Sequence, residues 1–345
     1  MTAFLHFVHT GSVAGGNGDS NETDGGDPDR AYVSLAVAEA AEAQDLASGG
    51  HTQAFQCEGS TADTTQVAFG DDWTTGPTNN ITVNPHANDV NPNPAYDTGL
   101  YRLEQSAGHT SCFKVTGSSC GHVEVNGIQM SIGAASSDCI RFDASVSGGI
   151  YTARGCRLKG SGSGSNQVGV FVAHTGNGTA NIVNCVIYET GNECIELRSN
   201  AADTINVYSN TMDSAGSFGL SVSSGAAVVR AFNNLMTNCT TNDYSSSGSP
   251  TTGNNGSSDN SSPQTGLRGL DILYTDAAND DYSTSDSEIV GLGFDLSSDG
   301  EYAFSDDILG EPRGDDWDIG AFQHVPVGRV LRDPKLNFTR NLITR

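Results

Sequence analysis

The chain has 345 residues, room for one long domain or two ordinary ones. Apolar residues at 36%, aromatics at 7% and 42 glycines exclude a disordered chain and disfavour a helical one, which leaves many short strands joined by turns. The net charge of −25 is carried by Asp far more than by Glu, and among the cations only Lys114, Lys159 and Lys335 are lysines; such a surface reads as halophilic or marine, and it excludes the bulk of the chain as a binder of nucleic acid or anionic membrane.

The opening MTAFLHFVHTGSVAGG lacks the charged start and the long apolar stretch of a secretory signal, and no run approaches the ~20 apolar residues of a membrane span. Synthesis in a host cytoplasm, with release by lysis, is the expectation. Residues 34–46, SLAVAEAAEAQDL, open on Ser and continue in Ala, Leu and Glu, which predicts one capping helix. Residues 51–104 read as short strands broken by Asn, Pro and Gly, so 1–105 is expected to form an N-terminal cap with the first strands.

From 106 to 240 the chain repeats. CFKV (112–115), CIRF (139–142), GVFV (169–172), CIEL (194–197) and GLSV (219–222) align, with apolar residues at the second and fourth places of every segment. The residues between are Lys114, Arg141, Phe171, Glu196 and Ser221, as expected for strands with one face inward and one outward. NGIQM (126–130), RGCRL (154–158), NCVIY (184–188), SNTMD (209–213) and NNLMT (233–237) form a second ladder that drifts with the first. Ile150, Ile182, Ile205 and Val229 suggest a third, less regular row, and Asn126, Asn184 and Asn233 a short asparagine ladder at a bend. A unit of 24–30 residues is too short for a propeller blade and too poor in Leu for a leucine-rich repeat. The pattern predicts an all-β fold, a right-handed parallel β-helix solenoid with an N-terminal capping helix.

Beyond the coils, the Ser-, Gly- and Asn-rich stretch 241–262 reads as a flexible loop, and 263–326 as final coils with a C-terminal cap. In that cap Arg313 is expected to pair with Asp315, Asp316 or Asp318, and Trp317, Ile319 and Phe322 to fold over the last coil. The last segment, 327–345, differs from everything before it. Its Arg329, Arg332, Lys335, Arg340 and Arg345 oppose only Asp333, and Val330, Leu331, Leu336, Phe338, Leu342 and Ile343 are apolar. A basic and apolar extension after a finished cap predicts a docking arm for a partner or a neighbouring copy.

YVSLAVAEAAEAQDL near the start and DDILGEPRGDDWDIGAFQ (306–323) near the end resemble the two bookends of a group of right-handed, pectate-lyase-like parallel β-helix repeat proteins of tailed viruses and bacterial surfaces. Ala38 stands where the group often has Trp, and Gln323 where it has Glu. The resemblance spans roughly residues 30–323. It implies the fold, and a range of roles from spikes, fibres and decoration proteins to adhesins and carbohydrate-active enzymes.

Catalysis is weighed on the outward residues. Asp138, Asp143, Glu193 and Glu196 offer carboxylates on neighbouring coils, as glycoside hydrolysis needs. Arg141, Arg198 and Lys114 offer the cation and base of a lyase, and Tyr151, Phe171 and Tyr188 are the candidate sugar-stacking aromatics. An outward ion-pair ladder without chemistry explains the same charges. Cys57, Cys112, Cys120, Cys139, Cys156, Cys185, Cys194 and Cys239 form no CxxC pair and read as small buried hydrophobes. Asp clusters at 276–281, 306–307 and 315–318 leave Ca²⁺ open, although none has the order of a calcium loop, and no other cofactor is expected. The sequence therefore predicts a virion structural protein of a tailed virus, a spike, turret, fibre or capsid decoration. It would be a homo-oligomer, most simply a trimer, displayed on the virion surface and attached to other virion proteins by its C-terminal arm. Host-surface glycan is its expected partner, with no nucleic acid and no membrane. A polysaccharide lyase or glycoside hydrolase acting as a depolymerase, and a cellular β-helix adhesin, are the alternatives.

Overall fold

The computed structural model describes residues 2–24, 27–105, 109–133, 136–162, 166–199, 202–223 and 227–324. The proposed docking arm, residues 327–345, lies outside the described residues. Alternating apolar residues need one dry face and one wet face, and the chain supplies both by winding into three parallel sheets of nine, seven and seven strands. Each coil gives one strand to each sheet in turn. Ile150–Arg154 lies in sheet I, Arg157–Lys159 in sheet II and Val168–Val172 in sheet III; the next coil follows with Thr179–Val183, Val186–Tyr188 and Ile195–Leu197. Strands one coil apart pair in parallel. The protein is a parallel β-helix.

In sheet III the inward files are those read from the sequence. Phe113, Ile140, Val170, Ile195 and Leu220 stack in one, and Val115, Phe142, Val172, Leu197 and Val222 in the other, all buried. Each such side chain contributes roughly 1.5–3 kcal/mol by leaving water. Gly169 is part of the same packing. A Cβ there would sit 2.2 Å from Ile187 Cγ2 and 2.5 Å from the Cys194 carbonyl oxygen. All the cysteines except the half-buried Cys239 are buried, as small apolar residues should be.

Sheet I corrects the third row. Ile150 lies opposite Thr179 and faces outward, whereas Tyr151, Ala180, Ile205 and Val229 form one interior file and Ala153, Ile182, Val207 and Ala231 the other. A one-residue slip in register turns a strand's side chains to the opposite face. The same slip affects the second ladder, because Arg154 is level with Val183 rather than Asn184. The bend after sheet I is held by a file of left-handed residues, namely Gly127, Gly155, Asn184, Ser209, Asn233 and Asn254, with φ between 52° and 63°. Asn126 falls one place before it, in the strand. The asparagine ladder is one place after it. Asn210 Nδ2 donates to Asn234 Oδ1 at 3.0 Å, and Asn234 Nδ2 donates to Asn255 Oδ1 at 2.9 Å, inside the coil.

The ends also depart from expectation. The helix predicted over 34–46 is two, α1 (Leu35–Glu42) and α2 (Leu46–Gly49), because Ala43 turns to ψ 122° and Asp45 caps the Ser48 N–H at 2.9 Å. Ser34 caps α1 as predicted. The solenoid starts before the helices, since Thr2–His9 pairs with His51–Glu58. Leu35, Ala38 and Leu46 then join the core with Phe55, Phe69 and Trp73 and close that end. Residues 241–262 are not a loop. They carry the final coil, Asn242–Ser246, Thr251–Gly253 and Gly256–Ser257. Their hydroxyl and carboxylate groups replace an apolar pattern as the stabilising element: Asp243 accepts from the N–H groups of Cys239 and Ser258 at 3.0 and 2.6 Å.

Residues 263–324 add no further coils. They form a strap over the outside of the bend between sheets I and II, and the left-handed asparagines clasp it. Asn254 Nδ2 donates to Leu292 O at 2.8 Å, Asn184 Nδ2 to Asp306 O at 2.8 Å, and Asn233 bonds both the N–H and the C=O of Phe294. Trp317, Ile319 and Phe322 therefore do not cover the last coil. Trp317 packs on Val183 and Tyr208, Ile319 on Leu235, and Phe322 with Val186 and Tyr188. Arg313 pairs with no carboxylate of Asp315, Asp316 or Asp318. Fully buried, it donates to the carbonyls of Asp306, Asp318, Gly320 and Ala321 and to Asn184 Oδ1, and burial pulls its pKa down to about 10.

Candidate glycan-binding face

The outer face of sheet II and the ends of the sheet I strands at the bend are covered by the chain itself, whereas Leu5, Ile150 and Val228 on the outer face of sheet I stay exposed. The strap lies over the upper coils, and residues 91–97 hold the lower ones, where Arg157 donates to Pro94 O at 3.2 Å and Asp97 N–H to Gln129 Oε1 at 2.6 Å. Among the described residues, none from 263–324 hydrogen-bonds to a sheet III strand. Among the described residues, sheet III thus lies clear of the strap, with Phe171, Glu196 and Ser221 of its outward row nonetheless buried.

On it lies a cleft of about 390 Å³. Its floor is the outward row read from the sequence, in which Arg141, Phe171 and Glu196 stand one above another on successive coils. Asp138, Val168 and Arg198 complete the walls, and Ser136, Asn166 and Asn192 lie along the rim. Phe171 is sandwiched, with the Arg141 guanidinium 4.2 Å and that of Arg198 5.7 Å from its ring centre. Arg141 bonds Asp138 at 2.7 Å and approaches Asp143 at 3.5 Å, and Arg198 pairs with Glu196.

Burial dominates the electrostatics of these carboxyls. It raises Asp138 to about 6, because losing water outweighs the neighbouring Arg141. Glu196 is raised for the same reason, against the opposing pull of Arg198. Glu193, beside the cleft, is raised to about 7 by burial and then by the Glu196 charge, and its Oε2 has no hydrogen-bond partner among the described residues.

The structure thus brings together Asp138, Arg141, Phe171, Glu193, Glu196 and Arg198, with Asp143 at the edge. Lys114 precedes Arg141 in the same outward row, one coil from the cleft. The other two aromatics are elsewhere: Tyr151 points into the core, and Tyr188 lies under the strap against Tyr282 at 4.6 Å. The rim residues Ser136, Asn166 and Asn192 were not foreseen, since polar bend residues are common all along this chain.

Two other places resemble sites. A cavity of about 400 Å³ opens between the strap and the lower coils, but its arginines are engaged by the chain itself, Arg154 by Asp306 and Arg157 by Asn93 and Pro94. Ser199, His174 and Asp203 meet at a bend, a grouping invisible in their spacing. There the serine hydroxyl donates to the Asp203 carboxylate rather than to the imidazole, and the cluster is sealed at no more than 1% exposure. The acidic clusters are turn caps. Asp281 holds Ser283, Asp307 holds the N–H groups of Leu309, Glu311 and Gln323, and Asp318 holds Gly291. Among the described residues no group of three or more His, Cys, Asp or Glu converges as a metal site.

No family model and no curated protein matches the chain. Among solved structures it is similar to one described as a crystal structure of pectate lyase Pel9A, at 12% identity and a TM-score of 0.45, over 94% of this chain and 97% of that one. No residue role passes to this chain on a likeness of that order. The parallel β-helix stands on its own strand pairing.

Proposed function

We propose that the protein is an exterior structural component of a tailed virus particle, a spike, turret, fibre or capsid decoration, that presents sheet III to a glycan of the host surface. The observation that carries the glycan reading is the cleft on sheet III, which lies clear of the strap and sets exposed polar groups around a sandwiched aromatic ring. Attachment to a particle is supported by the bookend stretches and by an acidic surface that keeps copies apart in salt. Symmetric association, most simply as a trimer, and docking through the arm 327–345 belong to the same reading.

Mass spectrometry of particles purified from a producing culture tests it, with the intact chain compared with one lacking 327–345. Both chains are expected to fold, with the same thermal unfolding midpoint, and only the intact chain to be incorporated. Incorporation of the truncated chain would remove the arm from the account. Absence of the intact chain from particles would remove the virion role.

A further inference from the structure

Resting on the symmetric association in the reading above, we propose that the outer face of the strap is the seat for the basic and apolar arm 327–345 of a second copy of this chain. The strap is where the acid of the protein is concentrated. Residues 263–324 carry fifteen of the 41 Asp and Glu but only two of the sixteen Lys and Arg, a net of −13. Three of those carboxylates hold the strap to the coils, Asp280 against Lys159, Asp299 against Arg230 and Asp306 against Arg154. Among the described residues, Asp271, Asp286, Glu288, Asp295, Asp315 and Asp316 have no cation at ion-pair distance, in contrast to those three.

Apolar side chains lie among the unpaired carboxylates. Leu273, Leu292 and Phe294 are 80%, 45% and 52% exposed, whereas Leu270, Ile289 and Leu296 of the same segment are buried. The Asp271 N–H donates to Glu288 Oε2 at 2.9 Å and the Leu273 N–H to Asp286 Oδ2 at 3.4 Å, so 271–273 and 286–288 lie side by side. The Val290 N–H donates back to Asp286 O at 3.1 Å, and the chain turns there toward Leu292 and Phe294. Asn254 and Asn233 hold the backbone of those two residues from the coil side, and their side chains stay on the outer side. The result is an apolar strip edged with free negative charge, the kind of surface that a partner covers.

The arm has the opposite character. It sets five cations against one Asp, with Val330, Leu331, Leu336, Phe338, Leu342 and Ile343 between them. Charge then selects the pairing, and the apolar side chains supply the affinity where salt screens the rest. The root of the arm says whose seat it fills. Asp318 accepts from the Gly291 N–H at 2.7 Å and also from the His324 N–H, so each arm starts beside Leu292, at the edge of the strip on its own strap. Its first cation, Arg329, comes five residues after His324, and Leu336 to Ile343 come twelve to nineteen after it. The residues after His324 reach up to about 70 Å when extended, whereas the strands of sheet I stack to a height of only about 38 Å. An arm must double back to fill its own seat, but it spans to a neighbour's without a turn. Passing each arm to the next copy closes a ring.

The test mixes the full chain with an equal amount of an isotope-labelled copy and treats the mixture with a carbodiimide, which joins an amine to a carboxylate without a spacer. Lys335 is one of only three lysines, so mass spectrometry reads its cross-links directly. Light scattering gives the mass of the assembly. The expected result is an oligomer in which Lys335 of one label is joined to strap carboxylates of the other. The double variant Leu292→Ser with Phe294→Ser is expected to raise the concentration for half-assembly at least about tenfold. Val228→Ser, on the exposed part of sheet I, is expected to leave it unchanged, with circular dichroism as the folding check on both. An oligomer whose Lys335 cross-links fall outside the strap, or that assembles equally well in the double variant, would overturn the seat and leave symmetric association standing. Cross-links to the strap within one label only would place each arm on its own chain and overturn the second copy. A full chain that stays monomeric at every concentration would remove symmetric association and the seat together.

Discussion

Asn233 does two jobs with one side chain. Its backbone sits at φ 56°, where most L-residues are strained, and its amide holds the Phe294 N–H and C=O of the strap at 2.7 and 2.8 Å. The two jobs separate by mutation. Asn233→Gly keeps the backbone and loses the clasp, which is expected to cost about 1–2 kcal/mol in urea unfolding; Asn233→Ala adds roughly another 1 kcal/mol of strain. Equal losses would show that the backbone term is negligible. Glu193 gives a pH signature. Its folded pKa of about 7 lies above the ordinary glutamate value, so the folded state holds a proton that the unfolded state releases. That contribution is fully present below about pH 4.5 and is lost as pH rises through about 7. Glu193→Gln, which cannot ionise, is expected to be the more stable protein at pH 8, by on the order of 1 kcal/mol, with an advantage that vanishes by pH 5. Thermal unfolding at both pH values checks it, and a pH-independent difference would contradict the assignment. Residue-scale features of this kind were only partly legible in the sequence. Asn recurrence at a bend could be read from Asn184 and Asn233, but Gly127, Gly155 and Ser209 fill the same file with other letters, and the choice of Asn126 displaced it by one.

At the scale of the strand, legibility followed burial. Sheet III could be read register by register because both of its inward places are apolar in every coil from Phe113 to Val222. Sheet I could not, because Tyr151, Ala180, Ala153 and Ala231 share its interior with larger aliphatics and Ile150 sits outside. The final coil was hidden for a different reason. Ser, Thr, Asn and Gly lack hydrophobic contrast, and they are held by internal polar bonds such as Ser262 Oγ to Asn255 O at 2.6 Å. The interior files should behave as a packed core. Ile195→Ala, between Val170 and Leu220, is expected to cost about 2–5 kcal/mol through lost burial and the cavity left behind, whereas the outward neighbour Ser221→Ala should cost less than about 1 kcal/mol. Similar losses at both positions, measured by urea unfolding, would deny the inward–outward alternation.

For the whole molecule, the path of the strap divides the rod: sheet II and the bend beside it are covered by the chain itself, and sheet III, with its cleft, lies clear of that cover. The sequence placed Asp138, Arg141, Glu196 and Arg198 on outward positions but offered no means of knowing that sheet III would lie clear of the strap. That depends on the path of 263–324, which carries no repeat and was expected to continue the coils. The cleft's candidate residues were therefore legible individually, and their freedom from the strap was not.

Hydrogen exchange of the intact chain, with and without a saturating host-surface glycan, tests the placement of the glycan on sheet III directly. The account predicts added protection in peptides covering 136–142, 166–172 and 192–198, and none in the strap 263–324. Protection confined to the strap, or to the bend it covers, would contradict it.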